Sequence, residues 1–425
     1  MAVAKRERCF NGHRSGESMY WTKPSFLMTV ALALFLVWSA AASAATFADL
    51  FRAGLDAEDA GNLDEALNRF TEALKMQPKS THVWAKRGEV YLKKGNPQLA
   101  INDLVQAVKL DPAYAAAFTR LGFAYNATND YDRALEALDM AVRLDPMSSE
   151  AYNTRGFAFN AKHDYGNAIK DFDKAIRLES KDARYYNNRG FAFNGKHEYD
   201  RAVEDFNRAI ELDATKDMYF NNRGVAFLRK KQFDRALEDF DMALKLNSKS
   251  ASAYHNRGMA LSGKGRNEKA VEEFSKVIEM NQSSPILYKD RGTAYRKLGE
   301  YELALNDFEK AIELDKKFAP AYASLGLLYA RATGSRIHNP TLALRMAEKA
   351  IELTNGTSPD MLENLAEVQQ ALNRNEEAVR TLRKALEMDP ANQEYRELLA
   401  RWQGPASPTA AEPNQTRTGP FTSLW

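Results

Sequence analysis

Cysteine is almost absent from this chain of 425 residues, which contains only Cys9. A single thiol cannot form a disulfide within the chain, so the fold must be held together by packing. The chain also lacks an excess of either charge, because 59 lysines and arginines stand against 57 aspartates and glutamates. Without the first 44 residues these totals are 54 and 55. Nucleic-acid-binding proteins usually have an excess of basic residues that contact the phosphate backbone. The balanced charge of this chain therefore argues against nucleic-acid binding.

Long hydrophobic runs are also missing, except for one near the N-terminus. Basic residues precede Lys23, an apolar run extends over Phe26–Trp38, and small residues follow over Ser39–Ala45. This order, with an Ala42-Ser43-Ala44 motif, is typical of a secretory signal peptide. We therefore expect residues 1–44 to be removed from a protein that is exported to the periplasm or the cell exterior.

An uncleaved N-terminal anchor is the alternative, because the 20 residues of Phe26–Ala45 are barely enough to span a bilayer. In that case the membrane would be contacted only through this segment. Cleavage is favoured, since the apolar core is short and small residues crowd its end. The translation start is open between Met1 and Met19.

The most prominent feature of the chain is a ladder of glycines that recur every 34 residues. They are Gly54, Gly88, Gly122, Gly156, Gly190, Gly224, Gly258, Gly292 and Gly326. A fixed period of this length indicates one supersecondary unit that is copied and stacked. The ten units begin at residues 47, 81, 115, 149, 183, 217, 251, 285, 319 and 358. Extra residues around Gly334–Pro340 predict a longer turn in the ninth unit.

Each unit is predicted to contain two amphipathic helices. When a unit is numbered from its first residue, the first helix has glycine at repeat position 8 between aromatic or leucine side chains at positions 4 and 11. These three positions share one helical face. The second helix has alanine at position 20 and a bulky apolar residue at position 24, and a proline after its last apolar residue ends it in several units.

This pattern resembles the tetratricopeptide repeat family. In the second unit it is carried by Trp84, Gly88, Tyr91, Ala100, Leu104, Ala107 and Pro112. The resemblance implies an all-α fold, a right-handed α-solenoid or superhelix of about ten helix-turn-helix repeats over residues 47–392. A capping helix over residues 393–403 would close the array, and residues 404–425, rich in Pro, Thr and Ser, are expected to be disordered.

Six units depart from the family pattern in the same way, with arginine at position 7 and an acid at position 23. The pairs are Arg87 and Asp103, Arg155 and Asp171, Arg189 and Asp205, Arg223 and Asp239, Arg257 and Glu273, and Arg291 and Asp307. The other four units have neither residue at these positions. This joint occurrence predicts an ion pair between the two helices of one unit, which would satisfy both groups where they are partly buried.

No catalytic or cofactor site is predicted. Gly190–His197 and Gly258–Gly265 each read G-x-x-x-x-G-K, but both lack the following Ser or Thr and the preceding strand of a phosphate-binding loop. We interpret their glycines as a helix contact and a turn. His163 and His197 lie in equivalent turns without further ligands, which favours solvated residues over a metal site. We therefore expect a protein that is not an enzyme and binds neither cofactor nor metal.

A peptide-binding groove is the remaining prediction. In tetratricopeptide arrays the first helices line a concave groove, and the resemblance implies that positions 2, 5, 9 and 12 point into it. The predicted groove residues are Phe123, Asn126, Asn153, Phe157, Asn160, Asn187, Asn188, Phe191, Asn194, Asn221, Asn222 and Asn256. Asparagine can donate to and accept from a peptide backbone, while phenylalanine supplies apolar contact. The alternative is that these asparagines are solvated helix residues copied with the repeat.

The asparagines at position 6 are similar to the asparagine ladder in the repeat domain of O-linked N-acetylglucosamine transferases, which grips peptide backbone. Chaperone-binding relatives instead carry a clamp of groove lysines and arginines, and the asparagines and phenylalanines of this chain argue against acidic C-terminal peptides as partners. Two functions follow. The first is an exported adaptor that holds a protein or peptide segment in the groove. The second is an assembly factor of a bacterial envelope complex, such as a pilus or secretion machine, that uses its ends or convex face.

Overall fold

The computed structural model describes residues 45–390 and 392–403. The predicted signal peptide and C-terminal tail lie outside these residues. The described part contains 21 α-helices and no strand, and consecutive helices pack as pairs, which confirms the all-α solenoid. None of the described helices is long and apolar enough to cross a membrane.

The helices follow the repeat units in order. Their bounds are α1 Phe47–Asp59, α2 Leu63–Met76, α3 Thr81–Lys93, α4 Pro97–Leu110, α5 Ala115–Ala127, α6 Tyr131–Leu144, α7 Ser149–Ala161, α8 Tyr165–Leu178, α9 Ala183–Gly195, α10 Tyr199–Leu212, α11 Asp217–Arg229, α12 Phe233–Leu246, α13 Ala251–Gly263, α14 Asn267–Met280, α15 Pro285–Leu298, α16 Tyr301–Leu314, α17 Ala319–Arg331, α18 Pro340–Leu353, α19 Pro359–Ala371, α20 Asn375–Met388 and α21 Gln393–Gln403. They form two compact bodies, which divide after Asp130.

The first body contains α1–α5. Within it α1 packs against α2, α3 packs against α4, and α2 packs against α3. Phe70 is fully buried between these pairs, in a cluster with Leu74, Val83 and Val90. The periodic apolar face of each helix is thus buried against its neighbours, as the spacing predicts.

The second body contains α6–α21. Seven helix pairs, from α7 and α8 to α19 and α20, each pack on the next, and the first helices of neighbouring units also contact one another. We call the surface formed by these first helices (α7, α9, α11, α13, α15, α17 and α19) the first-helix face. The last helix, α21, packs against α20 and buries Tyr395 and Leu399. The tyrosine hydroxyl donates to Asp360 Oδ1 at 2.8 Å.

The glycine at position 8 makes room for the bulky residue at position 24 of the same unit. A Cβ atom on Gly190 would lie 2.8 Å from Cε1 of Phe206, which is fully buried. A phenylalanine lies opposite the glycine in the same way in all five units from the fourth to the eighth. In the tenth unit alanine replaces the glycine and leucine replaces the ring, as Ala366 and Leu382, both buried in one cluster. The small residue and its large partner are therefore one packing element.

The turn between the two helices requires a left-handed residue at position 15. Eight units have a positive φ there, at Gly61, Gly95, Asn129, His163, His197, Lys231, Gly265 and Gly299. Glycine and asparagine adopt this conformation most easily. His163 and His197 are exposed, and their Nδ1 atoms lie 2.8 Å and 2.7 Å from the hydroxyls of Tyr165 and Tyr199. Among the described residues no group of three or more His, Cys, Asp or Glu could hold a metal ion.

One glycine of each G-x-x-x-x-G-K stretch was assigned to a turn, and this interpretation is wrong for Gly195 and Gly263. Both are the last residues of their helices, α9 and α13. A Cβ atom on Gly263 would lie 2.5 Å from the ring of Phe233, and one on Gly195 would overlap the ring of Tyr165. Each aromatic residue belongs to the preceding unit. These glycines therefore allow neighbouring units to pack closely.

The six arginine and acid pairs join the two helices of their own units, which confirms the prediction. In the fifth unit Arg189 Nε donates to Asp205 Oδ2 at 2.8 Å, and Nη2 donates to Oδ1 at 2.6 Å. The other aspartate pairs have the same two-pronged geometry, whereas Arg257 donates twice to one oxygen of Glu273. Burial raises the pKa of Asp205 above its usual range, because desolvation outweighs the stabilisation by the arginine.

Each of these arginines also contacts the preceding unit, which sequence reasoning missed. Arg189 Nη1 donates to Asp173 Oδ1 at 2.6 Å. The acceptors always stand at position 25, sixteen residues before the arginine, and are Thr71, Asp139, Asp173, Asn207, Asp241 and Ser275. All six carry a side-chain oxygen, a pattern that the sequence displays. One guanidinium thus connects three helices of two units.

Candidate peptide-binding surface

Six of the predicted groove asparagines bond to one another from unit to unit. The Nδ2 atoms of Asn188, Asn222 and Asn256 donate to the Oδ1 atoms of Asn153, Asn187 and Asn221 at 2.9, 2.9 and 3.0 Å. In each rung position 6 donates to position 5 of the preceding unit. Asn153 and Asn187 are only 8% and 3% exposed, so the alternative that these two are solvated is wrong. This asparagine ladder holds neighbouring first helices in register.

The ladder continues for one more rung with titratable side chains. His255 at position 5 lies with Nε2 2.7 Å from Asp290 Oδ2 at position 6 of the next unit, and Lys289 also contacts this carboxylate. Burial favours a higher pKa for Asp290, but the hydrogen bond from His255 and the charge of Lys289 lower it below its usual value. Because position 6 now accepts instead of donating, the rung has the opposite polarity. Sequence reasoning missed it, since neither residue is asparagine.

A row of apolar side chains stands exposed at position 9 of the first-helix face. Phe157 and Phe191 are 48% and 52% exposed, and Met259 is 38% exposed. Val225 lies between them in sequence and is half-buried. We call these four residues the apolar stripe. Exposed apolar side chains that recur on one face of neighbouring helices are typical of a binding surface. In the first body Phe123 is also exposed, and Asn126 is buried.

Position 12 places amide side chains one helical turn from the apolar stripe. Asn160 is buried and donates through Nδ2 to the backbone oxygen of Asn188 at 3.3 Å. Its Oδ1 atom, and that of Asn194, are buried and have no hydrogen-bond partner among the described residues. A buried acceptor without a donor costs about 1–3 kcal/mol. Either amide would have to rotate toward the surface for an N–H group from outside the chain to reach its oxygen and recover this cost.

The C-terminal end of the first-helix face is acidic. Glu363 lies on α19, and the nearby carboxylates are Glu367, Glu394 and Asp360. Burial, followed by repulsion from these three groups, raises the pKa of Glu363 to about 7. Lys231 of the sixth unit lies with Nζ 3.3 Å from Glu394 Oε1 and offsets part of this negative charge.

The raised pKa of Glu363 predicts a loss of stability as the pH rises. An unfolded glutamate has a pKa of about 4.3, so the folded chain binds the extra proton between this value and about 7. The stabilising contribution is therefore complete below pH ~4 and lost as the pH rises through 7. We expect Glu363→Gln to flatten the fall in melting temperature between pH 5 and 8, whereas Glu302→Gln, at an exposed site, leaves the profile unchanged. Identical profiles for the wild type and Glu363→Gln would contradict this assignment.

Comparisons with known proteins place the repeats in one group. Family models described as "Tetratricopeptide repeat" match residues 51–107, 85–149, 149–182, 183–216, 218–250, 251–284 and 338–401. A model described as "TPR repeat" matches residues 292–332. No curated protein matches the chain. The family models together match most of the part of the chain that the structure describes.

Several solved structures are similar to this chain. A tetratricopeptide repeat protein from Parabacteroides merdae ATCC 43184 is 19% identical, with a TM-score of 0.49, over 61% of this chain and 99% of that one. MamA is 29% identical, with a TM-score of 0.35, over 38% of this chain and 94% of that one. YrrB, described as a TPR protein with an unusual peptide-binding site, is 20% identical, with a TM-score of 0.36, over 44% of this chain and 96% of that one.

Proposed function

We propose that this chain, which belongs to the tetratricopeptide repeat family, is a non-catalytic scaffold that holds an extended segment of a protein partner. The observation that carries the proposal is the pairing of exposed phenylalanines with buried, unsatisfied amide oxygens. Phe157 and Asn160 are three residues apart on α7, and Phe191 and Asn194 are three residues apart on α9. Residues at this spacing are neighbours on a helix surface. Apolar contact and hydrogen-bond acceptors thus stand side by side.

An extended peptide fits this arrangement. Packed helices lie roughly 8–10 Å apart, which corresponds to about three residues of extended chain. Helices α7 and α9 can therefore each contact one apolar side chain through the stripe and accept one backbone N–H at position 12. The same spacing repeats from α7 to α9, so two successive units present equivalent subsites.

The asparagine ladder has a different role in this proposal. Its rungs use the amide groups of Asn188, Asn222 and Asn256 for contacts between helices. We therefore assign these residues to positioning the first helices rather than to gripping the peptide backbone. Asn160 and Asn194 are the asparagines that we expect to contact the partner.

Export belongs to the proposal as well. The basic leader, the apolar run and the small residues before Phe47 support a cleaved signal peptide and a protein that acts in the periplasm or outside the cell. Mass spectrometry of the exported protein tests this. We expect a new N-terminus at or just after residue 45, and an intact N-terminus would favour the anchored alternative.

A second row of exposed apolar residues supports the assembly-factor alternative. These residues are the last residues of second helices. In the second body they are Leu144, Leu246 and Met280 at position 30, and Met388 at the end of the second helix of the tenth unit. This row lies on the second helices and is separate from the first-helix face. A partner that binds these exposed residues would leave the first-helix face free, as expected for an assembly factor that joins other proteins.

Site-specific photocrosslinking in the native host distinguishes the two functions. We expect a benzoyl-phenylalanine at position 157 or 191 to crosslink a partner segment, and the same probe at Leu246 or Met280 to give none. Full burial of an exposed phenylalanine contributes about 1.5–3 kcal/mol, and each of these rings is already about half buried. Phe157→Ala with Phe191→Ala should therefore weaken partner binding on the order of 100-fold. Crosslinks confined to Leu246 and Met280 would overturn the groove proposal and favour assembly.

A further inference from the structure

The half-buried arginines of the described chain include one that has no counterion. Nine arginines are half-buried, and eight of them have a carboxylate oxygen within 4.0 Å. The ninth is Arg296, on α15. It makes no hydrogen bond and no ion pair through its side chain with any residue that the structure describes. Burial of a charge is costly unless a group of opposite sign offsets it, so Arg296 is a candidate for binding an anion from outside the chain.

The surroundings of Arg296 are positive. Burial lowers the pKa of Arg296, and the positive charge of Arg331 lowers it further. Lys297, the residue after Arg296, adds another positive charge. Among the described residues, the carboxylate that acts on Arg296 is Glu367. It is already shared, because Arg331 Nη2 lies 3.6 Å from its Oε2. Lys297 Nζ donates to Ser262 Oγ at 3.0 Å. Because serine is uncharged, this hydrogen bond leaves the positive charge of Lys297 in place.

The repeat register places Arg296 in line with the proposed binding residues. It stands at position 12 of the eighth unit, the position that Asn160 and Asn194 occupy in the fourth and fifth units. Its helix, α15, belongs to the first-helix face and contacts α13 and α17. The register thus sets the guanidinium on the row that carries the unsatisfied amide oxygens.

We propose that Arg296 binds the side-chain carboxylate of an aspartate or glutamate in the bound segment. The inference rests on the proposed function, because it assigns the chemistry of the same partner. A guanidinium presents parallel N–H donors that match a carboxylate, and the pair is strongest where water is partly excluded. The half-buried position of Arg296 meets this condition. The lack of a lysine and arginine clamp argues only against partners that bind through an acidic C-terminus. The site at Arg296 would instead bind an acidic residue within the partner segment.

The spacing of the acid can be estimated. Three units separate Phe191 from Arg296, which is roughly 24–30 Å at the usual distance between packed helices. An extended chain covers this distance in about 7–9 residues. The bound segment should therefore carry an apolar residue and, about 7–9 residues away, an acid.

Selection from a random peptide library tests the proposal with the full chain. The peptides are displayed between fixed flanking sequences, so that only side chains can supply a carboxylate. We expect the wild type to select apolar residues together with an Asp or Glu at the stated spacing. Arg296→Gln should retain the apolar preference and lose the acidic one. Arg208→Gln, an exposed arginine on the second helix α10, should select the same peptides as the wild type.

A binding cycle then measures the interaction. A selected peptide and its Glu-to-Gln counterpart are titrated into the wild type and into Arg296→Gln. We expect the counterpart to bind the wild type at least tenfold more weakly and to bind Arg296→Gln as well as the acidic peptide does. Arg296→Gln should melt no lower than the wild type, because its side chain has no partner to lose. Arg296→Lys, which keeps the charge, should retain part of the preference.

The outcomes separate this inference from the proposed function. Selection of apolar peptides without an acid, or an acidic preference that persists in Arg296→Gln, would overturn the role of Arg296 and leave the scaffold function standing. Failure to select any peptide would overturn both. An acidic preference that moves to another position in Arg208→Gln would also contradict the assignment, because it would show that surface charge in general sets the preference.

Discussion

Asp205→Ala is expected to lower the free energy of unfolding by about 3 kcal/mol, because it removes the buried partner of Arg189 and leaves the guanidinium only its contact with the partly exposed Asp173. Replacing both residues, as Arg189→Leu with Asp205→Met, should cost far less than the single change. The double variant removes both charges and introduces apolar side chains, with leucine shorter than the arginine it replaces and methionine longer than the aspartate. Replacements of this kind for buried ion pairs are often neutral.

The chain contains a natural template for this double variant. The ninth unit has Leu325 and Met346 at the two positions, and both pack in one hydrophobic cluster. The third contact of Arg189, to Asp173, is lost in the double variant, but that carboxylate is partly exposed and can be solvated. The helix pair should therefore tolerate an apolar contact at this site.

Denaturation followed by circular dichroism, with hydrogen exchange to locate the loss, checks this expectation. The local readout is needed because repeat arrays do not always unfold in one step. Arg208→Ala with Glu211→Ala removes an exposed pair and should cost less than about 1 kcal/mol. A double variant as unstable as Asp205→Ala would contradict the view that the unpaired charge, rather than the lost bond, dominates.

Gly190→Ala is expected to cost about 1–3 kcal/mol, because the added methyl group overlaps a buried ring. The new Cβ atom would lie 2.8 Å from Phe206 Cε1, closer than carbon atoms normally approach. Phe206→Leu should relieve part of the overlap, so the double variant should lose less than the sum of the two single changes. The relief is incomplete, because a Cβ atom on Gly88 would still lie 2.8 Å from Cγ of Leu104, the leucine at the same position of the second unit. The tenth unit shows that this combination packs, since Ala366 and Leu382 are both buried there.

The matched control is Gly166→Ala, in the first turn of α8. A Cβ atom there meets only Asp164 Oδ1, at 3.8 Å. Because alanine favours a helix over glycine, this change should stabilise the chain by about 0.5–1 kcal/mol. Thermal melting of the four variants measures the coupling. Equal effects of Gly190→Ala and Gly166→Ala would show that helix propensity, and not close packing, decides the glycine ladder.

Contacts within a unit could be predicted from the sequence, and contacts between units mostly could not. Arg189 and Asp205 were paired because six units carry both residues and four carry neither, a comparison that the chain itself provides. The further contact of Arg189 with Asp173 was missed, although position 25 is polar in each unit that precedes one of these arginines. Contacts between units depend on how neighbouring units rotate against each other, and the period of 34 residues does not reveal this rotation.

Because contacts between units are not visible in the sequence, the two glycines Gly195 and Gly263 were misassigned, and so were some of the groove residues. Gly195 looked like a turn residue because its ring partner, Tyr165, belongs to another unit. Asn188 looked available for binding because its partner Asn153 lies 35 residues away. Arg296 carried no signal in the sequence. It stands out because no described side chain forms an ion pair or hydrogen bond with it, and this can be seen only once the surrounding side chains are placed.

The arginines at position 7 also determine how the array responds to binding. Five successive units, from the fourth to the eighth, carry the guanidinium that reaches the preceding unit. In a linear array, stability is a sum of unit terms and nearest-neighbour terms, so such a run behaves as one cooperative block. The apolar stripe and Arg296 lie inside this block. A rigid surface of this kind loses little conformational entropy when a segment binds, and the entropic cost of association falls mainly on the partner.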